Sequence, residues 1–245
     1  MLRAYWNKKI KFLNTKMKKE NLKNTHTIII SDIHLGSFVS RADKTLELLK
    51  KYSFKKLILL GDIFDDLNFN NLTQEHWKLL TYIGKISKTR KVRWIEGNHD
   101  KGLSKVIGAL MGAKIYKSYR WQYKNKKYLA IHGHQFDRFL IDNTFLSYAA
   151  SFLYNFIQKI DFGNRTFSRF IKRESKGWLR LSDKIAYSAL TYARRRRVNY
   201  IFCGHTHKTM YRIKKRVKYY NSGCWTDTPC TFITIDEKNI EIKKY

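Results

Sequence analysis

The chain has 245 residues, 43% of them hydrophobic and 28% charged, which is the balance of one globular domain; a single proline and 12 glycines exclude a low-complexity linker. No apolar run approaches the ~20 residues that a membrane-spanning helix needs, and three cysteines at no zinc-like spacing indicate a reduced, cytosolic setting. Lys and Arg number 50 against 19 Asp and Glu; this net charge of +31 fits nucleic acid, an anionic membrane, phosphate-bearing substrates or simply a lysine-rich surface.

The first 24 residues are rich in lysine and lack the apolar block of a signal peptide, so we expect a basic N-terminal arm (1–24) followed by one domain over 25–245. In that domain, three short apolar runs predict buried strands, and two stretches with apolar residues at helical spacing predict helices. The strands are predicted over 27–30, 57–60 and 92–95, and the helices over 41–52 and 75–86. Strands and helices alternate, which indicates βαβ units.

The rest of the domain is predicted to be rich in strands. A hairpin is expected over 120–131, and further strands over 198–202, 210–220 and 231–242. Together with the βαβ units, this order predicts two packed sheets flanked by helices, a four-layer α/β/β/α sandwich.

Polar side chains that can bind metals follow the predicted strands. Each alone has an ordinary explanation, because Asp after a strand is often a turn former or helix cap, and a single His is more often structural. Together they favour a site at the carboxyl ends of the strands, and without Cys the set suits Mn²⁺, Fe²⁺ or Zn²⁺. Seven ligands are too many for one ion and suit two ions, an arrangement used in phosphoryl transfer. The candidates are Asp32, His34, Asp62, Asn98, His132, His205 and His207.

The order and spacing of these residues resemble the calcineurin-like metallophosphoesterases from Thr27 to the C-terminus. The resemblance rests on Asp32-x-His34, Gly61-Asp62, Gly97-Asn98-His99-Asp100, His132 and Gly204-His205-x-His207. It implies two divalent metal ions, with Mn²⁺ expected. One ion would be held by Asp32, His34 and His207, the other by Asn98, His132 and His205, with Asp62 bridging them. His99 is expected to stabilise the phosphoryl oxygens or protonate the leaving group, with Asp100 orienting its ring.

Longer motifs narrow the resemblance to UDP-2,3-diacylglucosamine diphosphatases. These motifs are Ser31–Gly36, Gly61–Asp65, Trp94–Asp100, His132–Asp137 and Asn221–Asp227. Such enzymes cleave the pyrophosphate bond of an acylated nucleotide sugar in lipid A biosynthesis, giving 2,3-diacylglucosamine 1-phosphate (lipid X) and UMP. The sequence departs from their pattern at His134, where Asp is common, and at Cys224.

A stretch over about 138–197 differs in composition and is predicted to be a helical insertion. One interpretation is a helical layer packed on the sheet with its charges solvated. The other is a cap over the metal site, with an apolar interior for acyl chains and a basic rim for phosphates and membrane. The basic residues expected to contact substrate are Arg165, Arg169, Lys172, Arg173 and Lys176.

These observations predict a hydrolase that acts on UDP-2,3-diacylglucosamine at the cytoplasmic face of the bacterial inner membrane, as a peripheral protein attracted by anionic lipid. The alternative is a dimetal nuclease or phosphodiesterase on nucleic acid or nucleotides, which the charge would also explain. A non-catalytic scaffold is disfavoured because all seven ligands are present. No protein partner is inferred.

Overall fold

The computed structural model describes residues 22–66, 68–137 and 176–245. The predicted basic arm up to residue 21 and most of the predicted insertion lie outside these residues. The described strands form two large mixed sheets and one short parallel pair, β1 (Lys23–Asn24) with β3 (Tyr52–Ser53).

The larger sheet has six strands in the order β13-β12-β2-β4-β5-β6, with β2, β4, β5 and β6 parallel. Three helices follow its parallel strands, as βαβ units require. The strands are β2 (Thr27–Ile30), β4 (Lys56–Leu60), β5 (Lys91–Ile95), β6 (Lys114–Tyr116), β12 (Thr231–Ile235) and β13 (Ile240–Lys244). The helices are α1 (Ala42–Lys51), α2 (Gln74–Ser87) and α3 (Leu103–Leu110).

The second sheet has five strands in the order β10-β11-β9-β8-β7. Strands β8, β9 and β11 are parallel, and an antiparallel strand closes each edge. The strands are β7 (Tyr119–Tyr123), β8 (Lys126–Ala130), β9 (Tyr200–Cys203), β10 (Met210–Lys214) and β11 (Val217–Asn221). Helix α4 (Lys176–Arg195) precedes β9.

Three buried clusters define the layers. Between the sheets, Ile29, Ile58 and Ile95 meet Phe202 and other aromatic residues of the second sheet. The outer face of the six-stranded sheet is covered by α1, α2 and α3, and the outer face of the five-stranded sheet by the apolar side of α4. The order of layers is therefore helices, sheet, sheet, helix, and α4, the end of the predicted insertion, packs on the sheet.

The predicted strands and helices of the first half form within one or two residues of their expected ends. Residues 210–220 and 231–242 each form two strands, not one, because the chain turns between them. Helix α3 and strand β6 were not predicted, since three glycines between residues 102 and 112 obscure the helical pattern. In the part of the chain that the structure describes, no helix has the length and apolar character needed to cross a membrane.

Candidate metal centre

The seven predicted ligands come from both sheets and meet at one edge of the sandwich. Asp32 and His34 follow β2, Asp62 follows β4 and Asn98 follows β5. His132 follows β8 of the other sheet, while His205 and His207 follow β9. All of these are parallel strands, so their carboxyl ends point the same way and bring the loops together.

Five of the seven residues have left-handed backbone conformations, with φ between 51° and 68°. Such conformations are uncommon outside glycine and cost on the order of 1–3 kcal/mol each, so they persist only where the surroundings fix them. The other non-glycine residues with positive φ include both turn residues of two hairpins, an ordinary place for them. Residues in the site with this strain are Asp32, His34, Asp62, His205 and His207.

Two glycines let the loops approach one another. A Cβ atom on Gly97 would collide with the Asp62 carboxylate, and one on Gly204 would collide with the Asp32 carboxylate. Each glycine immediately precedes a predicted ligand. The lack of a side chain at these two positions allows each loop to pack against the carboxylate of a neighbouring loop.

The first cluster contains Asp32, His34 and His207, whose candidate ligand atoms all lie within 4.8 Å of one another. His207 Nε2 is 3.3 Å from Asp32 Oδ1 and 3.2 Å from His34 Nε2. Burial tends to raise the pKa of Asp32, but the hydrogen bond and charge of His207 outweigh it and lower that pKa. The carboxylate therefore stays ionised and can attract a cation.

The second cluster contains Asp62, His132 and His205, with the same 4.8 Å limit. His132 Nδ1 donates to the Leu60 carbonyl at 2.8 Å, which leaves Nε2 facing Asp62 Oδ2 at 3.1 Å. Burial lowers the pKa of His132, but the Asp62 carboxylate dominates and raises it to about 10. The Asp62 carboxylate thus stabilises positive charge on the neighbouring His132 ring, as it would stabilise a bound cation.

Unsatisfied polar atoms indicate that these clusters fit a cation. Asn98 Oδ1 and His132 Nε2 are buried and make no hydrogen bond of acceptable geometry, although Nε2 lies near Asp62. Buried polar atoms without partners are rare because each costs ~1–3 kcal/mol. Oxygen and imidazole donors are what Mn²⁺, Fe²⁺ and Zn²⁺ bind, so divalent ions would satisfy both atoms.

Two further carboxylates support the candidate ligands. Asp65 Oδ1 is 2.9 Å from His34 Nδ1, and Asp137 Oδ2 is 3.1 Å from His205 Nε2. A carboxylate on one ring nitrogen fixes the imidazole and leaves the other nitrogen for a metal. For His34, burial lowers the pKa, but the Asp65 hydrogen bond and nearby carboxylates raise it overall. Both carboxylates belong to motifs recognised in the sequence, yet no role was predicted for them.

The predicted pairing of Asp100 with His99 is wrong. Asp100 accepts hydrogen bonds from the backbone N–H groups of Ile63 (3.0 Å) and Phe64 (3.1 Å). It also accepts from Gly97 N (3.2 Å) and Trp94 Nε1 (3.3 Å). Because both oxygens are used in this way, Asp100 holds the loop after Asp62. His99 Nδ1 instead donates to the carbonyl oxygen of Asp65 at 2.6 Å.

The motif Asn221–Asp227 near the C-terminus also has a structural role. Asn221 Nδ2 donates to the Gly204 carbonyl at 2.7 Å and to Thr206 Oγ1 at 3.1 Å. Trp225 N donates to the Asp32 carbonyl at 3.0 Å. These contacts hold the loops that carry Asp32, His205 and His207, so the motif supports the candidate metal centre.

The remaining predicted residues lie partly outside the described residues. Lys176 begins α4, whereas Arg165, Arg169, Lys172 and Arg173 fall in the stretch 138–175. His134, the departure from the expected pattern, lies with its ring centroid 5.5 Å from that of His132, and its buried Nδ1 makes no hydrogen bond. Burial, followed by the electrostatic effect of the neighbouring imidazoles, lowers the pKa of His134 to about 3.

Comparison with known proteins agrees with this geometry. Residues 25–209 match the family model of calcineurin-like phosphoesterases. Among solved structures, the phosphoesterase Yfce from E. coli superposes with a TM-score of 0.51 at 17% identity, covering 87% of this chain and 90% of that one. At this identity the likeness concerns the fold and not the substrate. No curated protein matches the sequence.

Two other structures are similar at lower scores. A novel archaeal phosphodiesterase has a TM-score of 0.47 at 14% identity, covering 89% of this chain and 99% of that one. Vps29 from Entamoeba histolytica, complexed with Zn²⁺, has a TM-score of 0.44 at 15% identity, covering 89% and 97%.

Proposed function

The chain belongs to the calcineurin-like phosphoesterase family, and we propose that it hydrolyses a phosphodiester or pyrophosphate bond with two divalent cations held by its seven predicted ligands. It is a metal-dependent phosphoesterase. The observation that carries the proposal is the buried Asn98 Oδ1, which makes no hydrogen bond, together with His132 Nε2, which faces Asp62 Oδ2 at 3.1 Å without a well-aligned hydrogen bond. Asp32, His34 and His207 would hold one ion, Asn98, His132 and His205 would hold the other, and Asp62 would supply a carboxylate to the pair.

Residues of the chain have distinct roles in this scheme. The cations, when bound, would activate water and neutralise charge on the phosphoryl oxygens. His99 Nδ1–H donates a hydrogen bond to the backbone carbonyl of Asp65, which leaves Nε2 to face the substrate; in the imidazolium form, Nε2 would give its proton to the leaving oxygen and the ring would become neutral. Asp65 and Asp137 keep the rings of His34 and His205 in place.

The substrate we propose first is a phosphodiester of a nucleotide or nucleic acid. A net charge of +31 favours a substrate that carries further negative charges besides that of the phosphate group being cleaved. This choice requires nothing from residues 138–175, because the proposed ligands and His99 all lie among the described residues.

The second candidate is UDP-2,3-diacylglucosamine, acted on at an anionic membrane surface facing the cytoplasm. The motif resemblance and the apolar, basic composition of residues 138–175 favour it. Yet several of the resembling residues, among them Asp65, Asp137 and Asn221, contact the candidate metal centre. These contacts explain that part of the resemblance without reference to a lipid.

A direct comparison of substrates tests both candidates. Metal-depleted protein is reloaded with Mn²⁺ and incubated with single-stranded DNA, bis(p-nitrophenyl) phosphate or UDP-2,3-diacylglucosamine, with Asp62→Asn as the inactive control. Cleavage of DNA and the diester without UMP release supports the first candidate. UMP release at a far higher kcat/KM supports the second. Equal product from wild type and Asp62→Asn on every substrate would overturn the proposal.

A further inference from the structure

Lys56 and Lys91 begin β4 and β5 at the end of the six-stranded sheet opposite the candidate metal centre, and two aromatic rings of the edge strand β7, Tyr119 and Trp121, lie against Lys56. Lys56 is the first residue of β4, the strand whose other end leads to Asp62. At ~3.3 Å per residue, this places Lys56 about 20 Å from the centre. Lys56 pairs laterally with Lys91 on β5, and Arg93 lies two residues further along β5, on the same face as Lys91. We refer to Lys56, Lys91, Arg93, Tyr119 and Trp121 as the basic end.

Lys56 is unusually buried for a lysine, with only 7% of its surface exposed. Its Nζ lies 5.1 Å from the ring centroid of Trp121 and 5.6 Å from that of Tyr119. The guanidinium of Arg93 lies 5.8 Å from the same Tyr119 ring. Aromatic faces thus supply part of the stabilisation of these cations, through cation–π contacts.

No carboxylate neutralises the basic end among the residues that the structure describes. The nearby acid Glu237 lies 3.1 Å from Lys124 and is therefore engaged by another cation. Burial and the positive charges of Lys91 and Arg93 lower the pKa of Lys56 to about 8. The same lysines contribute to a lowered pKa of His26, second to burial. The local potential is positive and uncompensated.

Two buried hydrogen-bond donors at this end have no acceptor. They are Nε of Arg93 and the indole Nε1 of Trp121, and the Trp121 side chain is itself only 8% exposed. An indole N–H and a guanidinium N–H only donate, so a ligand that satisfies them must bring acceptor atoms. The buried donors without acceptors and the cations without carboxylates both indicate a place that suits an anion.

We propose that the basic end is a second anion site, which binds a phosphate-type oxyanion. A tetrahedral oxyanion offers acceptors in several directions, as donors from Lys56, Arg93 and Trp121 require, and Arg and Lys are the usual side chains for this group. The site takes the anion without cleaving it, because the predicted metal ligands lie at the other end of the strands. It is independent of the proposed catalytic function.

The Trp121 indole signal tests this site directly. The chain has six tryptophans, so a ¹H–¹⁵N spectrum shows six indole signals, and the Trp121→Phe variant identifies the one from Trp121. Metal-free protein is titrated with inorganic phosphate at pH 7. We expect a saturable shift of the Trp121 signal, with at least tenfold weaker apparent affinity in Lys56→Met. The matched control is Lys127→Met, an exposed lysine on the outer face of β8, which should titrate like wild type.

The remaining outcomes are decisive as well. A Trp121 signal that stays fixed up to high millimolar phosphate would overturn the proposal, even if signals near the metal centre move. A shift that is equal in wild type and Lys56→Met would also overturn it, because it would reflect diffuse attraction to the charged surface. Should Lys56→Met give a changed overall spectrum, Arg93→Gln takes its place with the same expectations.

Discussion

At the scale of single residues, the candidate metal centre depends on backbone conformations that few side chains tolerate. Five of the seven proposed ligands have positive φ, and two glycines stand where a methyl group would overlap a carboxylate. The cost of these conformations is offset by a dense set of hydrogen bonds, of which the Asp100 contacts to the loop after Asp62 are the clearest example. Strain of this kind is typical of functional sites.

Gly204 gives a sharp test of this packing. In Gly204→Ala the new Cβ overlaps the Asp32 carboxylate and Ser31 Oγ, so we expect a loss of ~1–3 kcal/mol in unfolding free energy and at least tenfold weaker Mn²⁺ binding. Gly84→Ala is the control, since it lies in α2 with nothing within 4 Å and should be neutral or slightly stabilising. Urea unfolding and metal titration check both; identical behaviour of the two variants would count against the account.

Asp137 is expected to position His205 through its carboxylate, without contact with substrate. Asp137→Asn should weaken the binding of one of two Mn²⁺ ions by roughly 10–100-fold while the other ion binds as in wild type. Competition with a metal-sensitive chelator measures both affinities. The control is Asp183→Asn, which removes an exposed carboxylate paired with Arg212 and should change neither. Unchanged affinity in Asp137→Asn would show that the hydrogen bond to His205 has no such role.

At the scale of the elements, the sequence predicts the parallel strands and their helices well. The β-branched and leucine runs that form β2 and β4 are buried along their whole length, and such runs have few alternatives to a central strand. Helix α3 is short, contains Gly108 and is flanked by Gly102 and Gly112, so its helical pattern is too weak to be recognised. The split of residues 210–220 and 231–242 into hairpins depends on turns that have no Asn-Gly or Gly-Gly signature.

The predicted ligands also gather as expected, because the strand ends that carry them share one edge of the sandwich. The hydrogen-bond partners of the histidine rings could not be predicted from the sequence. Asp137 and His205 are 68 residues apart, and the choice of Asp65 over Asp100 beside His99 is set by how the loops cross. Such contacts follow from tertiary packing, for which residue spacing carries no signal.

Lys56 at the start of β4 makes the stability of the sandwich depend on pH. Its pKa is about 8 in the folded protein and 10.5 ordinarily, so between these values the unfolded chain holds more protons. The unfolding free energy contributed by Lys56 therefore rises as pH increases from 8 to 10.5, and below pH 8 the full penalty remains. We expect Lys56→Met to be more stable than wild type at pH 7 by on the order of 1 kcal/mol.

Urea unfolding at pH 7, 8.5 and 10 checks this prediction. The comparison with Lys56→Met cancels most contributions from other groups, including Lys91, Arg93 and His26, which face the same end. The difference between the two proteins should shrink as the pH rises. A difference that stays constant over this range would mean that Lys56 keeps its ordinary pKa in the folded state.

At the scale of the whole molecule, the two ends of the sandwich have opposite character. One edge gathers carboxylates and imidazoles suited to cations, and the other carries the buried Lys56 beside Lys91 and Arg93, which suits an anion. The first arises because parallel strands align their carboxyl ends on one side, and the second combines the amino ends of β4 and β5 with aromatic side chains of the antiparallel edge strand β7. The high positive charge of the surface increases the encounter rate with anionic substrates without specifying them.

The central claim is that two divalent ions bound at the carboxyl ends of the strands make the protein a phosphoesterase. Its most direct test is the Mn²⁺ content per chain after loading and gel filtration, measured by mass spectrometry alongside hydrolysis of bis(p-nitrophenyl) phosphate. We predict two ions per chain in wild type, fewer in Asp62→Asn, and activity that disappears on chelation and returns with Mn²⁺. Fewer than one ion per chain in active wild-type protein, or hydrolysis that survives chelation, would contradict the account.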